Sequence, residues 1–477
     1  MTQQLEKGAS RLGGADLFHL DLIRKYDKAG PRYTSYPTAP QFHEGVNSET
    51  YAQTLRRVAQ DQAPLSLYVH IPFCNTVCYY CGCSKIVTKQ YERAAPYVDL
   101  LCREIDLVAD TLGYGADQPG RKVMQLHFGG GTPTFLNDAQ MMRLMSKLRE
   151  RFAFANDEQG EFGIEIDPRE CSEHTIAVLR QIGFNRMSMG VQDFDPDVQR
   201  AVNRIQSKEI TLRVLNEARE HGFKSINIDL MYGLPHQTVE SFDRTLDTII
   251  DFSPDRIALF NYAHLPHMFM PQRRIDEDDL PTPQEKLNIL KHSINKLLDA
   301  GYVFIGMDHF AKPDDELTLA QQEGKLYRNF QGYSTMADCD LIGLGITSIG
   351  YVGGGFFQNA KEMDRYSNAL ASGNFPVFRG YILSGEDHLR RQVIMRLMCD
   401  FALDYRTFEQ QFGIDFKEHF ADELNDLEDM ATDGLVELDE HGLRVLPAGR
   451  LLIRNIAMVF DEYLRRKHHQ VKFSKVI

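Results

Sequence analysis

The sequence has no tryptophan, no long apolar run and no surplus of positive charge. No stretch approaches the roughly 18 consecutive apolar residues that a membrane span needs. The opening residues, MTQQLEKGASRLGG, lack the apolar centre of a secretory signal. The expectation is therefore a soluble protein of the reducing cytoplasm, with no membrane partner. There are 67 acidic and 53 basic residues, a net charge of −14. That balance disfavours non-specific binding to nucleic acid, and leaves room for one local basic pocket. No heptad pattern or sticky strand edge stands out, so a monomer is the default.

What is present is an ordinary globular balance of 43% hydrophobic and 25% charged residues over 477 positions. The eight cysteines are unevenly placed. In a long chain without a signal, metal or redox chemistry is a better reading than a disulfide framework. Cys74, Cys78, Cys81 and Cys83 fall within ten residues, whereas Cys102, Cys171, Cys339 and Cys399 are scattered and read as buried apolar residues.

From about residue 65, short β-branched runs alternate with amphipathic stretches. The strands expected are SLYVHI (66–71), VMQLHF (123–128), FGIEI (162–166), RMSMGV (186–191), SINIDLM (225–231), RIALFNY (256–262) and YVFIGM (302–307). The helices expected lie near 93–112, 138–152, 172–182, 208–222, 239–251 and 284–300. This alternation predicts a parallel sheet with crossover helices, α/β in class. Six or seven such units suit a partial or complete β/α barrel. Residues 1–60 read as an N-terminal arm or lid, with RYTSYPTAPQF (32–42) and a helix near 49–60. Residues 61–385 read as the barrel with elaborations. The Gly-rich stretch 314–359 reads as a long functional loop. Residues 386–477 read as a smaller, mainly helical, winged-helix-like domain with a hairpin in VELDEHGLRVL. Between Asp415 and Glu440 there are eleven acids and one lysine, so this module reads as a packing domain rather than a DNA binder.

The strongest chemical signal is Cys74-Asn-Thr-Val-Cys78-Tyr-Tyr-Cys81-Gly-Cys83, directly after the first strand. Thiolates hold iron–sulfur clusters and zinc. Three at this spacing can wrap one face of a cubane, leaving one iron open. A four-cysteine zinc site usually pairs two separated hooks, and no second hook exists here. The run LHFGGGTPTFL (126–136) follows the second strand, and three glycines together signal close backbone approach. Glu165 and Asp229 sit between apolar neighbours in strands, and Gln192 ends another. Carboxyl ends of barrel strands face the active site, where such groups find partners. Glu165 and Asp229 suit ribose hydroxyls or an ammonium group, and Arg204 suits a carboxylate.

The C-x3-C-x2-C loop and the GGTP element resemble the radical S-adenosylmethionine superfamily. The runs PRYTSYPTAPQF, SLYVHIPFCNTVCYYCGCSKIVTKQ, QLHFGGGTPTFLN, FNRMSMGVQDF, NIDLMYGLPHQT, FIGMDHFAKPDDEL and RNFQGYST are similar to the oxygen-independent coproporphyrinogen III oxidase family. The resemblance implies a partial barrel with a helical C-terminal domain. It implies one 4Fe–4S cluster on Cys74, Cys78 and Cys81, and two S-adenosylmethionine molecules. The first would touch Tyr68, Gly130, Glu165 and Ile349. The second would touch Tyr80, Gly131, Thr132, Gln192, Arg204, Asp229 and Ala263. Tyr68 and Cys83 are implied as catalytic, with Cys83 in the motif but outside the cluster. The implied reaction begins with a 5′-deoxyadenosyl radical taking hydrogen from a propionate of coproporphyrinogen III. Loss of an electron and CO2 then leaves a vinyl group. Two such events give protoporphyrinogen IX. A flavodoxin- or ferredoxin-like protein would donate the electron. Arg32 and Lys85 are candidate cations for the propionates. The alternatives are a related heme-handling enzyme or chaperone, and a zinc-stabilised binding module.

Overall fold

The computed structural model describes residues 13–115, 120–337 and 339–466. Its main sheet contains β1 (Leu65–Ile71), β2 (Val123–Gly130), β3 (Glu161–Ile166), β4 (Arg186–Gln192), β5 (Ser225–Tyr232) and β6 (Arg256–Asn261). It continues with β7 (Val303–Gly306), β8 (His309–Ala311), β9 (Asp340–Leu344), β10 (Ile349–Val352), β11 (Gly355–Asn359) and β12 (Val377–Ile382). The spatial order is β12-β11-β10-β9-β1-β2-β3-β4-β5-β6-β8-β7, an open sheet. The run from β9 through β1 to β6 is parallel throughout, while both flanks are antiparallel. This is the parallel α/β core that the alternation predicts.

The crossover helices are α1 (Ala94–Leu112), α2 (Asp138–Arg151), α3 (Thr175–Gln181), α4 (Lys208–Glu220), α5 (Val239–Phe252) and α6 (Pro283–Asp299). Their starts follow local chemistry. Asn137 with Gln140 and Thr238 with Ser241 form reciprocal caps that satisfy the first backbone donors of α2 and α5. The strands are buried for a matching reason. In β3, β4 and β5 the apolar side chains alternate with half-buried residues: Glu165 in β3, Ser188 in β4, Asn227 and Asp229 in β5. One face packs under helices, and the other opens into a cleft.

Two expectations need correction. YVFIGM does form a strand, but β7 pairs antiparallel with β8 at the sheet edge and adds no parallel unit. Met307, at φ 52°, turns the chain back on itself there. The seventh parallel strand is instead β9, inside the stretch expected to be a loop. That stretch holds a helix (Glu316–Gln322), a hairpin (Tyr327–Asn329 with Gly332–Ser334) and strands β9 to β11. Its glycines mark tight strand contacts: a Cβ at Gly350 would lie 2.7 Å from Leu341 O, and one at Gly343 2.9 Å from Ile349 C. Buried Glu104 of α1 ties this extension down. It accepts from Tyr366 Oη at 2.6 Å, Asn359 Nδ2 at 2.6 Å and Gly345 N at 2.7 Å. Burial still pushes its carboxyl up to about 7.

Beyond the sheet, α7 (Gly385–Asp400) leads into short helices and a three-stranded sheet of Ala402–Asp404, Gly442–Val445 and Val436–Leu438. The segment PAGRLLIRNIAMVFDEYLR is a 3-10 turn followed by two short helices (Ile453–Met458 and Glu462–Arg466). The arm is packed rather than open. Tyr33 and Tyr36 are fully buried; Tyr33 Oη donates to Asp461 at 2.9 Å, and Arg454 Nε donates to Pro31 O at 3.0 Å. The helix Ser48–Val58 follows where one was expected. Of the scattered cysteines, Cys102, Cys171 and Cys399 are buried and Cys339 is half-buried.

Candidate active site

The cysteine loop leaves the end of β1, and the glycine run leaves the end of β2 beside it. Gly131 N donates to Ile71 O at 2.8 Å, and Thr132 N to Phe73 O at 2.7 Å. This zipping explains three successive glycines. Gly130 has φ 118°, and a Cβ there would lie 2.6 Å from the His70 ring. A Cβ on Gly131 would lie 2.7 Å from the carbonyl oxygens of Pro72 and Phe73.

One pocket is lined by Cys74, Cys78, Cys81, Cys83, Tyr80, Gly130, Gly131, Thr132, Glu165, Gln192, Arg204 and Asp229. With Lys85, which also lines it, the structure gathers thirteen of the sequence-predicted positions onto one cleft. Tyr68 stands next to it, its ring stacked on His127 at 6.0 Å and its Oη 3.1 Å from His70 Nδ1. Two positions are not brought into the lining. Ala263 is half-buried just after β6, and Ile349 opens β10 against the apolar cluster of Phe42, Phe356 and Leu383. The proposed propionate cations are otherwise engaged. Arg32 pairs with Asp308 at 3.0 Å, and Lys85 donates to Cys81 O at 3.0 Å.

The sulfur environment separates the thiols. Thr132 Oγ1 approaches Cys74 Sγ at 3.6 Å; Arg204 Nη1 and Arg169 Nη2 approach Cys78 Sγ at 3.6 and 3.8 Å. A hydrogen bond from Cys83 draws Cys81 down to about 5, and the same bond pushes the Cys83 thiol up. Burial pushes Cys74 up to about 11, as expected of a thiol walled off from water.

The carboxylates fall into two kinds. Glu165 feels burial that would raise it, but the His127 hydrogen bond at 3.3 Å prevails and holds it below the usual carboxylate value. Gly130 N also donates to it, at 3.2 Å. Asp229 is pushed up to about 7, first by burial and then by repulsion from Glu165. Asn227 and Ser188 donate to it at 2.6 and 3.3 Å. Arg204 is buried and paired with Asp167 at 3.0 Å; it also donates to Gly190 O at 2.5 Å and Gln206 Oε1 at 3.1 Å.

Comparison with known proteins now decides the kinship. The radical SAM superfamily model matches residues 68–249, and the HemN C-terminal domain model matches residues 383–452. The oxygen-independent coproporphyrinogen III oxidase of Pseudomonas aeruginosa is 51% identical over 96% of this chain and 98% of its own length. Its namesake in Escherichia coli is 52% identical over 96% and 98%. The solved structure of the E. coli enzyme, described as a radical SAM enzyme, superposes with a TM-score of 0.88 at 51% identity. It covers 94% of this chain and 99% of that one. The chain belongs to the oxygen-independent coproporphyrinogen III oxidase family.

Radical SAM enzymes of this kind carry a 4Fe–4S cluster and S-adenosylmethionine, and the residues present fit both. Among the described residues, no three His, Cys, Asp or Glu side chains converge on a point as ligands of a single ion. The three thiols line one pocket, a donor set that suits an iron–sulfur cluster. Gln192 Oε1 and Arg204 Nε are buried there without a hydrogen-bond partner among the described residues, as cradle groups awaiting a polar ligand would be. Gln192 also holds a left-handed backbone, at φ 70°.

Sequence reasoning in this family missed Asp167, Arg169, Ser188, Asn227 and His127. Asp167 carries Arg204 and Arg169 together. The signal for it was present, as the first acid beyond a strand end in FGIEIDPRE. His127, Ser188 and Asn227 were findable from the period of two that places them on the cleft face.

Proposed function

We propose that this chain converts two propionates of coproporphyrinogen III to vinyl groups without oxygen, giving protoporphyrinogen IX. The observation that carries the reading is the convergence of Cys74, Cys78 and Cys81 with Gly130–Thr132, Glu165, Gln192, Arg204 and Asp229 on one pocket. It occurs in a chain half identical, nearly end to end, to enzymes named for this activity. When bound, the cluster and S-adenosylmethionine supply a hydrogen-abstracting carbon radical by one-electron cleavage of a sulfonium. For each propionate a hydrogen atom, one further electron and CO2 leave, and a vinyl group remains.

The protein's own groups do the holding. Cys74, Cys78 and Cys81 provide the thiolates, and Thr132, Arg169 and Arg204 hydrogen-bond to two of the sulfurs. Glu165, kept ionised by His127, is fit to accept from hydroxyl or ammonium donors. Asp229, able to keep its proton near neutral pH, can donate as well as accept. Two cofactor molecules, the first at Tyr68, Gly130, Glu165 and Ile349 and the second at Tyr80, Gly131, Thr132, Gln192, Arg204, Asp229 and Ala263, are part of the proposal. Cys83 is proposed as a catalytic thiol for its place in the pocket lining beside Cys81. The buried arm and the C-terminal module would keep water from the cleft. The proposed units are an arm (1–60), a catalytic barrel (61–385) and a C-terminal domain (386–477). A flavodoxin- or ferredoxin-like electron donor, a monomeric state and a cytoplasmic location complete the reading. No helix among the described residues is long and apolar enough to cross a membrane.

Anaerobic incubation of cluster-loaded protein with coproporphyrinogen III, S-adenosylmethionine and a reductant tests this. CO2 release with a divinyl product is the expected result. Porphyrin binding without turnover would overturn it in favour of a heme-handling relative.

A further inference from the structure

A small cavity lies where the arm, the barrel and α7 meet. It is lined by Thr34, Ser35, Ser66, Arg328, Phe330 and Arg391, among others. It holds about 20 Å³, room for a water or the oxygen tip of an acidic group and far too little for a tetrapyrrole ring. Two guanidinium groups are buried against it: Arg328 is 3% exposed and Arg391 8%. Arg328 lies over the Tyr333 ring at 4.8 Å, and Arg391 over the Tyr351 ring at 4.3 Å. Stacking occupies the faces of a guanidinium and leaves its N–H edge for an acceptor in the plane. Arg391 Nη2 donates to Tyr327 Oη, while Arg328 Nε and Nη1 and Arg391 Nε have no hydrogen-bond partner among the described residues.

The carboxylate in the field of Arg328 is Asp308, already shared by Arg32 at 3.0 Å and His309 at 2.8 Å. Buried cations with open donors are costly without an anion. The cavity also borders the reaction cleft. Ser66 Oγ donates to Gln125 Oε1 at 2.9 Å, and Gln125 Nε2 donates to Ser334 Oγ at 2.9 Å. Gln125 and Ser334 line the barrel cavity that also holds Glu165 and Asp229.

We propose that Arg328 and Arg391 form a carboxylate pocket that takes one propionate of the substrate and so fixes the ring in the cleft. The proposal rests on the function given above. A tetracarboxylate ligand explains why a chain of net charge −14 keeps a cluster of buried arginines here.

The test is a fluorescence titration of the full-length protein with coproporphyrin III, the air-stable oxidised form, beside its uncharged tetramethyl ester. Wild type is expected to bind the acid at least about tenfold more tightly than the ester. Arg328→Gln and Arg391→Gln should each weaken acid binding about tenfold or more and leave ester binding unchanged, while Arg328→Lys recovers part of the loss. Acid binding within about twofold of wild type in both Gln variants would overturn the proposal and leave the cavity as a water site. Equal wild-type affinity for acid and ester would overturn it too. Circular dichroism melting identifies a variant that fails to fold, and the acid-to-ester ratio of wild type decides without any variant. The functional reading fails separately, if wild type binds the acid tightly and yields no vinyl product anaerobically.

Discussion

The two sides of the cleft carry opposite chemistry. At the cysteine loop, Glu165, Asp167 and Asp229 surround the thiols, with Arg204 and Arg169 committed to Asp167. At the arm and α7, Arg32 and Arg328 share the field of Asp308, Arg454 lies beside it, and Arg391 lines the small cavity with Arg328. The first wall suits a cofactor whose reacting end is cationic, a sulfonium with an ammonium group. The second suits a substrate whose periphery is anionic. A cleft polarised in this way can orient two ligands of opposite charge against each other before any chemistry occurs.

The comparison is broken most severely at the thiols. Cys74→Ser, Cys78→Ser and Cys81→Ser should each abolish the iron–sulfur absorbance and all turnover, while Cys83→Ser keeps the cluster. Iron and sulfide analysis checks this, with about four irons expected per wild-type chain. Arg204→Met comes next. It leaves Asp167 short of a buried partner and should cost about 3 kcal/mol in chemical denaturation. Glu165→Gln should raise the S-adenosylmethionine concentration required by about 10–100-fold, since a hydrogen bond to a charged acceptor is lost.

Asp229 sharpens the contrast through pH. Its carboxyl, raised to about 7, holds a proton that the unfolded chain releases near pH 3.9. Native protein therefore binds more protons across that window, and stability falls as pH rises from about 4 to 7. Asp229→Asn should remove that decline, gaining on the order of 2 kcal/mol at neutral pH and nothing below pH 4, as thermal melts over a pH series would show. Arg32→Gln should have the smallest effect, below about 1 kcal/mol, because its side chain is 39% exposed despite the pairing with Asp308.

The strands of the cysteine wall were legible because apolar, often β-branched residues recur on their helix-covered face, as in SLYVHI and SINIDLM. The cysteine spacing and the GGGTP run announced themselves as chemistry in the same way. The flank beyond β9 was not legible. Gly343 and Gly350 have the composition of a loop, yet each is glycine because a neighbouring strand's backbone lies where its Cβ would be. YVFIGM carried a strand signal that could not reveal its antiparallel partner. Ala263 and Ile349, carried over by resemblance, offer no polar side chain whose placement the pocket could display. Arg328 and Arg391 were hidden for a different reason. One sits in a weakly periodic stretch and the other inside a helix, so only the tertiary fold shows that they share a cavity.

The division of the cleft is tested most directly by following both ligands on one set of anaerobically loaded proteins. The cluster's electron paramagnetic resonance signal reports S-adenosylmethionine, and fluorescence reports coproporphyrin III. The account predicts that Arg328→Gln keeps the wild-type cluster response to S-adenosylmethionine and loses porphyrin affinity, while Glu165→Gln does the reverse. Equal loss of both responses in both variants would contradict it.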